Sequence, residues 1–134
     1  MTVEGLTTVP SDFGAAETMD RLAAEVTEKG MTVFARIDHA AGAAAAGLTL
    51  GPTTLLIFGN AKGGTPLMQS RQTTGIDLPL KALVWQDAAG KTWLSYNEPA
   101  WLAGRHGVGP EAERFVGAMS AALAALARKA TSLH

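Results

Sequence analysis

Leu55 to Met68 (Leu-Leu-Ile-Phe-Gly-Asn-Ala-Lys-Gly-Gly-Thr-Pro-Leu-Met) constrains the fold of this chain more than any other stretch. Thr53 to Gly59 is an apolar run of strand length, and such a run belongs at the centre of a sheet rather than at its edge. The run stops at Gly59 and a loop with the pair Gly63-Gly64 follows. Thr65 then reads as the cap of a helix whose first position is Pro66, where the missing N–H costs nothing. That helix is expected to reach about Gln72 and to end before Gly75. A glycine loop between a strand and a helix start offers backbone N–H groups to an anion; it is also an ordinary turn.

The other elements follow in chain order. Gly5 to Val9 is a short β-branched strand closed by Pro10. Ala15, Met19, Leu22, Ala23 and Val26 repeat at helical spacing, with Gly14, Asp12 or Ser11 as candidate caps and Lys29-Gly30 as the stop. Met31 to Asp38 alternates as a strand, with Met31, Val33, Ala35 and Ile37 toward the core and Phe34 on the more polar face. His39 to Ala46 is alanine-rich and reads as a short helix ending at Gly47. Lys81 to Gln86 and Thr92 to Tyr96 flank Asp87-Ala88-Ala89-Gly90 as a hairpin, placing Trp85 and Trp93 across from each other. A short helix begins at Glu98-Pro99 and stops near His106-Gly107. Gly109-Pro110 opens a long last helix whose stripe is Phe115, Val116, Met119, Leu123 and Leu126. The order β-α-β-(α)-β-α-β-β-α-α predicts an α+β fold, a mainly antiparallel sheet with helices mostly on one face.

Composition narrows the function classes. The 134 residues suit a single domain, 1–134, with the last helix over 109–130. The absence of cysteine removes disulfides, thiolate metal sites and thiol nucleophiles. A net charge of -1 gives no electrostatic reason to bind nucleic acid or an anionic membrane. With no signal-peptide pattern at the N-terminus and no apolar run of about 18 residues, the expected location is cytoplasmic.

Five motifs, in order, resemble the Domain of Unknown Function 302 family. They are Ala35-Arg-Ile-Asp-His39, Leu55-Leu-Ile-Phe-Gly-Asn60, Gly64-Thr-Pro-Leu-Met68, Asp77-Leu-Pro-Leu-Lys81 and Trp93-Leu-Ser-Tyr-Asn97. They lie within residues 5–107, and the last helix carries little of the likeness. The resemblance implies a curved α+β sheet, TATA-binding-protein-like in outline, and a homodimer; it brings no established activity. Ala61 departs from the family, which often has proline there, and Phe13-Gly14 stands where a serine-type cap is common.

Candidate sites each have a plainer reading. Gly59 to Gly64 spells G-x-x-x-x-G, but Thr65-Pro66 replaces the Lys-Ser/Thr that a triphosphate loop needs. What survives is a ligand site made of Asn60, Lys62, Gly63, Gly64 and Thr65, with His39 as a further candidate, for a small or anionic ligand. The alternative is that the glycines only turn the chain. His39 or His106 is a candidate general acid/base, although Asp38 more simply caps the helix that follows it. His39, His106 and Asp77 have no recognisable zinc-ligand spacing, so no metal and no cofactor is expected. No serine-hydrolase order is present. The preferred reading is a dimeric, non-catalytic binding module. The alternatives are an enzyme using His39 or His106, and a structural or interaction module.

Overall fold

A computed structural model describes residues 2–133; Met1 and His134, the ends of the expected 1–134 domain, lie outside the described residues. Five strands form the sheet: β1 (Leu6–Pro10), β2 (Thr32–Asp38), β3 (Thr53–Gly59), β4 (Leu80–Gln86) and β5 (Thr92–Asn97). The helices are α1 (Ala15–Glu28), α2 (His39–Ala45), α3 (Ala61–Ser70), α4 (Pro99–His106) and α5 (Glu113–Thr131). Short 3-10 turns, Gln72–Asp77 and Pro110–Ala112, precede β4 and α5. The strand order is β1-β5-β4-β3-β2, antiparallel throughout. The α+β class and the element order are as the sequence predicts.

β3 and β4 are flanked on both sides, which is what an apolar run requires. Leu56, Phe58, Ala82, Val84, Leu94 and Tyr96 point to one face of the sheet and are buried there. Met19, Leu22 and Val26 of α1 and Met119, Leu123 and Leu126 of α5 close over them. α1 ends as expected, with Gly30 at φ +77°, a conformation glycine adopts without strain. Its N-cap is Gly14 with no side-chain cap; Ser11 Oγ instead accepts from the Phe13 amide at 3.2 Å.

Two local expectations fail for physical reasons. The first is the alternation in β2. Val33 pairs with Phe58 but Ala35 pairs with Ile57, so Phe34 is an extra residue in a β-bulge. Beyond it the faces exchange: Arg36 turns to the helix side and meets Asp20 of α1 at 2.8 Å, while Ala35 and Ile37 join the open face. β2 is an edge strand, with Val33 37% and Ile37 40% exposed rather than core.

The second is the start of α3, which begins at Ala61 and not at Thr65-Pro66. Asn60 is the cap, its Oδ1 accepting from the Gly63 amide at 2.8 Å. Each glycine costs a helix about 1 kcal/mol relative to alanine, so the helix starts here in spite of local propensity, and a Cβ at either position would meet its neighbours only at ordinary contact distance. A Cβ at Gly64 would lie 3.5 Å from Leu78, and one at Gly63 would lie 3.7 Å from Met119. Pro66 is therefore inside the helix, where it forfeits one backbone hydrogen bond.

The sheet face away from α1 and α5 is largely apolar, with Lys81, Ser95 and Thr8 among its polar members. By strand alternation it carries Ile37, Leu55, Ile57, Leu83, Trp85 and Trp93. Trp85 and Trp93 are direct cross-strand partners, stacked with centroids 6.2 Å apart. Their indole N–H groups donate to Ser95 Oγ and Asp87 Oδ2, both at 2.9 Å.

Candidate functional site

Beside the first turns of α3 lies a cavity of about 440 Å³, in the range of small-molecule pockets. Phe34 reaches it from the bulge in β2, and Met31 from the residue before that strand. α3 contributes its cap Asn60 together with Gly63, Gly64, Thr65 and Met68. Leu78, Pro79 and Leu80 wall it from the chain entering β4, and Phe115, Ala118, Met119 and Ala122 from α5. The bulge explains why Phe34, 57% exposed, is an aromatic wall of this cavity rather than part of the core.

Its polar groups are few. Asn60 Oδ1 is bonded to the Gly63 amide, and the Asn60 carbonyl accepts from the Gly64 amide at 3.2 Å. The two glycine N–H groups expected to hold an anion are thus engaged within the helix. Of the residues singled out from the sequence, Asn60, Gly63, Gly64 and Thr65 line the cavity. Lys62 belongs to the same helical turn, is exposed, and is not in the lining.

His39 lies elsewhere. It opens α2, exposed, directly after Asp38, whose Oδ1 accepts from the Ala41 amide at 2.9 Å. Asp38 pairs with Thr54 at the start of β3, whereas Leu80, three residues past Asp77, pairs with Phe58 at its far end. The structure therefore separates His39 from Asp77 and His106. Among the described residues no three His, Cys, Asp or Glu side chains are grouped to hold a metal.

His106 has partners of its own. Its Nε2 is 2.6 Å from Asp77 Oδ2, and its Nδ1 is 2.9 Å from Thr73 Oγ1. Arg105 donates to the same Asp77 oxygen at 2.8 Å. Burial would raise the Asp77 pKa, but the His106 hydrogen bond and the Arg105 charge outweigh it, and the carboxyl sits below its ordinary value. A hydroxyl, an imidazole and a carboxylate in line invite a catalytic reading. The adjoining void of about 10 Å³ is no larger than one water. The cluster joins the 3-10 turn before β4 to the end of α4, and Arg71 Nε donating to the Gly107 carbonyl at 3.1 Å ties the same two segments.

Sequence reasoning missed the apolar walls. Met31, Leu78, Pro79, Phe115 and Met119 come from segments far apart in the chain and carry no shared spacing. Phe34 gave the one available signal, an aromatic on the wrong face of its strand.

Comparison with known proteins places the fold. The family model of the domain of unknown function DUF302 matches residues 7–126. A fluoride-specific ion channel, FluC 1 of Brucella suis biovar 1 (strain 1330), is 53% identical over 115 residues, covering 86% of this chain and 45% of that protein. FluC 2 of Brucella melitensis biotype 1 matches at 53% over 115 residues, covering 86% of this chain and 43% of that protein. The chain thus spans less than half the length of these relatives. An uncharacterized conserved DUF302 protein from Bacillus stearothermophilus, solved by crystallography, superposes with a TM-score of 0.81 at 23% identity. That match covers 92% of this chain and 96% of the other and shows the shared fold. Among the described residues no helix is long and apolar enough to cross a membrane.

Proposed function

The chain belongs to the DUF302 family, and from that premise we propose that it is a single-domain, non-catalytic, homodimeric binding module of the cytoplasm whose cavity takes one small molecule. The observation that carries this reading is the cavity of about 440 Å³, walled by β2, α3, α5 and the entry to β4. An apolar cleft with a few polar groups at one end is the ordinary form of a ligand pocket. The enzyme alternative loses support because His39 stands apart and both ring nitrogens of His106 are engaged, by Thr73 and Asp77.

Fluoride conduction, named for the Brucella relatives, is not assigned to this cavity. A small, strongly hydrated anion entering it would exchange its water for apolar walls, at a high desolvation cost.

A probe of matching shape tests the reading. Decanol, titrated below its solubility limit, should raise the melting temperature, because a ligand at a hundredfold excess over Kd adds about 2.7 kcal/mol to stability. Ala122, half-buried on α5, faces the cavity, and Ala122→Phe should fill it and remove the shift. Melting curves of the unsubstituted protein that ignore decanol and every other linear alcohol tried would refute the proposal.

A further inference from the structure

Resting on the cavity reading above, we infer that the ligand is an acidic amphiphile, an aliphatic tail ending in a carboxylate. The tail is specified by the walls: Met31, Phe34, Leu78, Phe115 and Met119 offer it thioether, aliphatic and aromatic surface and no acidic side chain.

The head is specified by what the polar end has to give. Asn60 Oδ1 is taken by the Gly63 amide, so its Nδ2 donor is the group left to face a ligand. Thr65 lines the cavity, and its hydroxyl has no partner among the described residues. Lys62 shares these turns of α3, is exposed, and makes no ion pair among the described residues. A second cation, Arg114, lies over the Phe115 ring, 4.7 Å from its centroid. Asn60 and Thr65 line the cavity, and Lys62 and Arg114, outside the lining, adjoin residues that form it, an arrangement that complements an anionic head on an apolar body. A carboxylate there gains charge-assisted hydrogen bonds; an alcohol gains neutral ones, and an ammonium meets like charge.

Calorimetric titration with decanoate, decanol and decyltrimethylammonium, each below its micelle concentration, tests the head group against a constant tail. Decanoate should bind about fivefold tighter than decanol, and the ammonium compound weakest, as expected for one exposed charge pair. Lys62→Ala should remove the advantage of decanoate while leaving decanol affinity unchanged. Lys62 is exposed, so the substitution leaves the fold intact. Equal binding of decanoate and decanol overturns the acidic head while the cavity reading stands, and decanoate affinity unmoved by Lys62→Ala overturns Lys62 as its partner. No binding by any of the three overturns both.

Discussion

Asp77 shows how single side chains set the acid limit of this fold. Its carboxylate accepts from His106 and Arg105, and the pair of contacts holds its pKa below the ordinary 3.8 in spite of burial. The unfolded chain therefore takes up a proton near pH 4 that the folded chain still refuses. Where the unfolded state binds more protons, stability rises with pH. The contribution of Asp77 is complete above its unfolded value and is lost as pH falls through the depressed folded one. Asp77→Asn should cost about 1 kcal/mol at pH 7, the scale of a charged hydrogen bond that is partly replaced. Urea melts at pH 7 and pH 3 should show the gap to the unsubstituted protein closing at the lower pH. A gap equal at both would mean that the carboxylate charge has no part in it.

Among the elements, β3 and β2 differ most. Leu56 is fully buried on the central strand β3, and Leu56→Ala should cost about 2–5 kcal/mol in a urea melt. Phe34, on the bulged edge strand, should lose no more than about 0.5 kcal/mol on truncation to alanine, yet weaken decanol binding. Equal costs at the two positions would mean the strand order is misassigned. The central strand was legible because an apolar run has only one comfortable place in a sheet. The Asp38 cap, the Gly30 stop and the Trp85–Trp93 pair were legible because each rests on local chemistry. The bulge at Phe34 was hidden because an inserted residue changes facing without changing composition. The start of α3 was misread because Gly63 and Gly64 are poor helix formers, while the cap that starts the helix is Asn60, whose Oδ1 accepts from the Gly63 amide. The polar end of the cavity, Asn60 to Thr65, was therefore visible, since it lies along the first turns of one helix. Its apolar walls were not, since tertiary folding alone gathers them.

At the scale of the whole molecule, α1 and α5 cover one face of the sheet and leave the other open, largely apolar but carrying Lys81 and Ser95. Five strands spaced about 4.8 Å apart and some six residues long present a face of about 480 Å². Two such faces together bury about 1,000 Å², the lower end for a specific interface. The bulge in β2 and Pro10 in β1 disfavour joining edge to edge, so the proposed homodimer is expected to pack face to face. Light scattering at micromolar concentration should give twice the 13.9 kDa chain mass, and Ile37→Lys on the open face should halve it. A monomer before substitution would refute the dimer. The cavity, on the other side of the sheet, would stay accessible in such a pair. Met31, Met68 and Met119 line it from three separate segments, and unbranched thioethers rearrange around differing shapes at little cost. A pocket so upholstered is a poor judge of tail length or branching; whatever selectivity it has must be exercised at its polar end.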